Sequence, residues 1–137
     1  MPSMDTFLSI DEVARRTGLS AHTLRYYERI GLIGPVARGS DGRRRYSAAD
    51  VAWIGFLLRL RGTRMPVASM QAFARLRAAG DHTAGERRQM LEKHLATVVA
   101  EIATLQHSAA ALADKIAHYR RLEDTGAAPQ PSSRRKR

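Results

Sequence analysis

The amino-acid sequence predicts a mostly α-helical chain with one short two-stranded ribbon, and three observations carry that prediction. Capping residues and stops recur at helical spacing through residues 1–80. An Asp41-Gly42 pair, which tolerates the positive φ of a tight turn, lies between two short extended segments. Finally, Leu91, Leu95, Val98, Ile102, Leu105, Ala109, Leu112, Ile116 and Tyr119 alternate steps of four and three without a break.

Each element follows from its residues. Ser9 and Glu12 form the pattern of a capping box at the start of a first helix over Ile10–Arg16, with Val13 and Ala14 inward. Only Thr17-Gly18-Leu19 separates it from a second helix, which Ser20 caps and Gly31 stops. Leu24 and Ile30 are its expected buried positions, and Tyr27, three residues from both, is the tyrosine expected to pack beside them. Leu32, Ile33 and Val36 lead into the ribbon, whose tip and return strand hold Arg43, Arg44 and Arg45. Ser47, with Asp50 as its partner, caps a third helix that carries Val51, Ile54, Leu57, Leu58 and Trp53 and ends near Gly62. Pro66 suits the first turn of a fourth helix, which runs to about Ala79 with Met70, Phe73, Ala74 and Leu76-Arg77 inward.

The long seam predicts a fifth helix that must bury its apolar stripe, and a second copy of the chain is the simplest partner. With Leu91 at a d position, a parallel pair sets Lys115 against Arg120 of the partner. An antiparallel pair centred near His107 brings Glu92 to Arg120 and Glu101 to Lys115, so antiparallel is the expected orientation. Residues 123–137, ending in Arg134-Arg135-Lys136-Arg137, have little to bury and read as a disordered basic tail. The expected domains are therefore a segment of short helices and a ribbon over 7–80, a coiled-coil dimerisation helix over 81–122, and the tail.

Charge separates along the same lines. The 137 residues carry a formal charge of +10, of which residues 1–80 hold +7, residues 81–124 hold −1 and residues 125–137 hold +4. Two short helices joined by a Gly-containing turn, in a basic segment, match the helix-turn-helix that sets its second helix in the DNA major groove. A merely solvated basic surface is the alternative. On the second helix, His22, Thr23, Arg25, Tyr26 and Arg29 lie off the buried stripe and can face a groove. Arg25 can fork onto guanine or a phosphate, and the Tyr26 and Tyr27 hydroxyls can meet the backbone. Arg43 and Arg44 on the ribbon, and Arg64 beside the start of the fourth helix, are further expected phosphate contacts.

Other classes find little support. There is no Cys, hence no disulfide, thiolate ligand or thiol nucleophile. His22, His82, His94, His107 and His118 are scattered without metal-ligand spacing, and no glycine cluster has phosphate-loop spacing. No catalytic residue, metal site or cofactor is expected. No apolar run is read as a membrane span and the N-terminus lacks a signal pattern, so a cytoplasmic, nucleoid-associated protein is expected.

Several blocks resemble the bacterial MerR-family transcription regulators. They are Ser9-Ile-Asp-Glu-Val-Ala, the run Thr23-Leu-Arg-Tyr-Tyr-Glu-Arg-Ile-Gly-Leu-Ile, Asp41-Gly-Arg-Arg-Arg-Tyr-Ser and Asp50-Val-Ala-Trp-Ile. The resemblance covers about residues 8–122. It implies a winged helix-turn-helix DNA-binding domain over 7–80 and a homodimer joined by an antiparallel coiled coil, bound to an inverted repeat in promoter DNA that it distorts for RNA polymerase. By position, Arg25, Tyr26 and Tyr27 fall in the recognition helix, Arg44 and Tyr46 in the first wing, and Arg64 in the second wing region.

Leu60-Arg-Gly-Thr-Arg-Met-Pro-Val and Lys115-Ile-Ala-His-Tyr-Arg are also similar to a subgroup that often answers aldehydes or thiol-reactive stress through a Cys. Arg59 stands at that place here, which excludes thiol sensing, and Arg64 replaces the subgroup's Gly. The chain ends soon after the long helix, so a separate drug-binding domain is not expected. A small-molecule effector, if there is one, is unknown and would use a small pocket near the base of that helix. An architectural or excisionase-like DNA-bending protein with the same winged module is the alternative function.

Overall fold

The computed structural model describes residues 6–126 and is helical throughout apart from turns and isolated bridges. Five α-helices follow in order, α1 (Ile10–Thr17), α2 (Ala21–Arg29), α3 (Ala48–Gly62), α4 (Val67–Ala79) and α5 (Ala84–Thr125), with a 3-10 turn at Asp81–Thr83 before the last. By compactness the chain divides inside α5, into a unit up to His94 and a second from Leu95 onward.

Local capping accounts for the helix ends of the first unit. Ser9 accepts a hydrogen bond from the Glu12 amide as expected, whereas the Glu12 carboxylate turns to Arg15 and Arg16 instead of closing a capping box. The full box forms at Ser47 and Asp50, which satisfies two otherwise orphaned donors at the start of α3. At the end of α2 the Leu32 amide donates to Tyr27 and the Gly31 amide to Glu28. This Schellman closure needs a left-handed residue, which Gly31 supplies at φ +80°. The same closure ends α3, where Met65 donates to Leu60 and Arg64 to Arg61. Its left-handed position is held by Arg64, at φ +67°. Pro66 stands at the cap of α4, one residue before the helix, and α1 gains Thr17 beyond the expected end.

The core of this unit gathers Val13, Leu24, Leu32, Ile33, Ile54, Leu57, Leu60, Met70 and Phe73 from all of α1 to α4 and the segment after α2. Trp53 anchors it. Its indole Nε1 donates to the Leu32 carbonyl at 2.8 Å, its ring stacks on Phe73 at 5.7 Å between centroids, and the Arg77 guanidinium lies over the ring, 4.7 Å from the centroid. Tyr27 joins this core, as its spacing predicted, while Tyr26 stays 44% exposed. Leu58, expected inward, is half-buried, and Leu60 takes the buried place.

The expected two-stranded ribbon is reduced to a single antiparallel bridge, Arg38 with Arg44, closed by a turn in which Gly42 has φ +79°. The segment is too short for a longer ladder, because after Arg45 the chain leaves Arg38 and pairs elsewhere. Leu8 and Tyr46 exchange both backbone hydrogen bonds, at 2.9 and 2.8 Å, and so tie the start of the chain to the return strand.

In α5, Met90 and Leu91 pack on the core of the first unit. Leu91, expected at the head of the dimer seam, is thus already half-covered by its own chain. From Leu95 onward no residue of the helix is buried, and Leu95, Ile102, Leu105, Leu112, Ile116 and Tyr119 are exposed, with Leu105 at 69%. Ala109 is exposed as well, and Val98 half-buried. The helix runs on to Thr125, so residues 123–125 of the expected tail are helical; residues 127–137, with the rest of the tail, lie outside the described residues.

One expectation about membranes needs correction. The segment Asp81–Thr125 contains an 18-residue window of mean hydropathy 1.3, long and apolar enough by composition to cross a bilayer. Its alanines raise that average, but the large apolar side chains form one stripe with Glu101, Gln106 and His107 beside it, which is the pattern of a paired helix rather than a lipid-facing one.

Candidate nucleic-acid interface

The α2 helix places its polar residues by the same periodicity that buries Leu24 and Tyr27. His22, Arg25, Tyr26 and Arg29 are exposed, and the Arg29 guanidinium lies 5.4 Å from the Tyr26 ring centroid, which holds both side chains on one face. Thr23 is half-buried and caps the helix with Ser20. Its amide donates to Ser20 Oγ at 3.0 Å, and Ser20 Oγ donates to its hydroxyl at 3.0 Å.

His22, Arg25 and Arg29 then share an open groove of about 410 Å³ with Glu28, Pro35 and Arg44. Three guanidiniums around one carboxylate make its lining net positive, as an anionic ligand requires. Arg44 also lines a second open groove, of about 420 Å³, with Asp41, Arg43 and Arg45. Arg43 and Arg45 are exposed. The turn itself is fixed by Asp41 Oδ1, which accepts from the Arg43 amide, and by Arg38, which donates to the Gly42 carbonyl at 2.8 Å.

Arg44 is partly committed already. Its Nε donates to Glu28 Oε1 at 2.6 Å, and its side chain is only 20% exposed. The other carboxylate oxygen, Oε2, accepts from the Val36 amide at 3.1 Å, so one side chain of α2 holds both the connecting segment and the return strand. Glu28 is not among the contact residues that the sequence predicts. Its signal was that it is the single acid in an otherwise basic helix, where a carboxylate has little reason to stand unless it has a partner.

Two expected contact residues belong instead to the interior. Tyr27 is 8% exposed and counts with the core, so its ring cannot lie on the exposed face of α2. Tyr46 is 0% exposed, and its buried hydroxyl has no hydrogen-bond partner among the described residues. A surface contact from Tyr46 is therefore corrected to a core position: the bridge to Leu8 turns this side chain inward while its neighbours Arg43 and Arg45 stay exposed. Burial holds its phenol above the ordinary pKa, with nearby Arg44 acting the other way.

Arg64 is exposed at the turn between α3 and α4, next to Thr63. Thr63 Oγ1 donates to the Arg59 carbonyl at 2.8 Å and lies 2.7 Å from His94 Nε2, which ties this turn to the first part of α5. Arg59, at the place of the expected subgroup's Cys, is exposed. Among the described residues no three His, Asp or Glu side chains come together as a metal site.

The chain matches known proteins over most of its length. Residues 8–76 match the family described as MerR HTH family regulatory protein, and residues 51–115 the family described as MerR, DNA binding. An uncharacterized HTH-type transcriptional regulator of Haemophilus influenzae is 33% identical over 115 residues, 84% of this chain and 85% of that protein. The HTH-type transcriptional regulator AdhR of Bacillus subtilis is 39% identical over 84 residues, 61% of this chain and 60% of that one. Among solved structures, HiNmlR, a MerR family regulator lacking the sensor domain and bound to promoter DNA, is similar with a TM-score of 0.78 at 32% identity, over 88% of this chain and 95% of that one. A MerR-family regulator from Bacillus thuringiensis has a TM-score of 0.74 at 26% identity, over 82% and 99%. The chain belongs to the MerR family of DNA-binding transcriptional regulators.

Proposed function

We propose that the protein acts as a homodimer that binds an inverted-repeat operator within a promoter and distorts that DNA, so that RNA polymerase uses the promoter differently when the regulator is bound. The observation that carries the reading is the pairing of two features in one chain. One is a basic groove that combines Arg25 and Arg29 of α2 with Arg44 of the return strand. The other is a stripe of exposed apolar residues along α5 from Leu95 to Tyr119. A stripe of that length left in water is unfavourable, since each buried CH₂ is worth about 0.8 kcal/mol. An antiparallel partner helix covers it and satisfies the charge pattern around His107. A two-fold dimer presents two copies of α2, and two-fold symmetric DNA is the matching target.

In this reading His22, Arg25 and Tyr26 face the groove edge, with Thr23 beside them at the helix start. Arg43, Arg44 and Arg64 hold phosphates, and the protein works in the cytoplasm on nucleoid DNA. HiNmlR, similar in fold and 32% identical, is a regulator seen on promoter DNA, which supports the assignment of the DNA face.

Sedimentation equilibrium combined with footprinting on the protein's own upstream region tests the proposal. A dimer that protects a two-fold symmetric site, together with Leu105→Asp protein that is monomeric and leaves no footprint, is the expected result. A monomeric wild-type protein at micromolar concentration, or a footprint without symmetry, contradicts it.

A further inference from the structure

Glu28 is an acid on the face of α2 that is otherwise built to meet DNA, and its two oxygens are both occupied. One accepts from Arg44 Nε at 2.6 Å and the other from the Val36 amide at 3.1 Å. Glu28 and Arg44 are each largely covered, with side chains 17% and 20% exposed, so the pair is shielded from the solvent that weakens surface ion pairs. Both still line the open groove that holds His22, Arg25 and Arg29. Because Glu28 engages Nε, the two terminal nitrogens of Arg44, which have no partner among the described residues, can meet another acceptor. A guanidinium held by one edge presents the other as a fixed fork, which suits the oxygens of a phosphate.

We propose that Glu28 is a positioning residue for DNA binding: it aims Arg44 of the return strand as a phosphate clamp and fixes that clamp to the recognition helix. The proposal rests on the DNA-binding reading of this face and deepens it. Its consequence runs against simple electrostatics. Removing an acid beside a polyanion raises the local positive charge and by itself tightens binding. If Glu28 positions Arg44, its removal weakens binding instead, because the long Arg side chain regains its rotamers and the return strand loses its tie to α2.

The test measures operator affinity by mobility shift over a range of salt concentrations for the wild type, Arg44→Ala, Glu28→Ala, Glu28→Gln and the double variant Glu28→Ala/Arg44→Ala. For every phosphate that the protein no longer neutralises, the slope of log affinity against log salt falls by about 0.9. The expected result is that Arg44→Ala and Glu28→Ala each lower the slope by about that amount per bound protomer. Each should also weaken binding about tenfold, the scale of one charge-assisted hydrogen bond. The double variant should be no weaker than Arg44→Ala alone, since both changes remove the same interaction with DNA. Glu28→Gln, which keeps an acceptor without the charge, should fall between wild type and Glu28→Ala.

A purely structural role would reduce the folded fraction without changing the slope, and circular dichroism of each variant separates the two. If Glu28→Ala does not fold, Glu28→Gln carries the test. Tighter binding or an unchanged slope in the folded Glu28 variants overturns the proposal, as does an unchanged slope in Arg44→Ala. The DNA-binding reading fails separately, if the wild type itself shows no site-specific complex.

Discussion

Replacing Tyr46 with Phe should make the protein more stable and leave DNA binding alone. The side chain is fully buried and its hydroxyl has no partner among the described residues, so the folded state carries a desolvated polar group that the unfolded state hydrates. Leaving such a group unsatisfied costs about 1–3 kcal/mol, and Phe removes it while keeping the ring that fills the core. The expected gain is therefore about 1–3 kcal/mol. For a unit the size of residues 1–94, each kcal/mol corresponds to about 4–8 °C in melting temperature.

Alkaline titration gives a second readout with a definite sign. Burial raises the Tyr46 pKa above its ordinary value, so the folded state favours the neutral phenol. That contribution is fully present below about pH 10, the pKa of an exposed tyrosine, and is lost as pH rises through the higher folded value. Urea denaturation of wild type and Tyr46→Phe at matched concentration should show the variant's advantage widening above about pH 10. Operator affinity and its salt slope should be the same for both proteins. A destabilised Tyr46→Phe, or one that loses affinity together with salt slope, would show that the hydroxyl works at the DNA surface and would refute the assignment of Tyr46 to the core.

Other substitutions probe the scaffold. Arg64→Gly relieves a left-handed residue at φ +67° and should stabilise the fold by about 0.5–1 kcal/mol in urea denaturation, while lowering the salt slope if Arg64 holds a phosphate. Trp53→Ala removes the ring that meets both Phe73 and Arg77 and takes the indole donor from the Leu32 carbonyl, so a loss of about 3–5 kcal/mol is expected by the same measurement. Ser47→Ala breaks the capping box of α3 and should cost about 1 kcal/mol in thermal or urea melts without altering the operator footprint.

The helices were legible because their signals are local. Ser9, Ser20 and Ser47 each cap from within three residues, and Leu24 with Tyr27 marks the inward face of α2 by spacing alone. What the sequence hid depends on contacts made at a distance or on rule-breaking residues. Tyr46 reads as the end of a basic strand until Leu8, far upstream, pairs with it and turns it inward. The left-handed closure of α3 is invisible because Arg64 fills a position where glycine is the usual sign. Glu28 is marked in the sequence only as the single acid of α2, and it is the fold that brings Val36 and Arg44 to its two oxygens. The stripe on α5 was plain from its period, but its first member, Leu91, packs on its own chain, which periodicity cannot distinguish from pairing with a second copy.

The most direct test of the central claim, that the basic groove on α2 and the return strand reads DNA, is a mobility shift of purified protein on its own upstream fragments, across several salt concentrations, with Arg25→Ala alongside. The account predicts a discrete complex on one fragment, steeply dependent on salt and lost in Arg25→Ala protein that still folds. Weak binding to every fragment, unchanged by the substitution and abolished by modest salt, would contradict it.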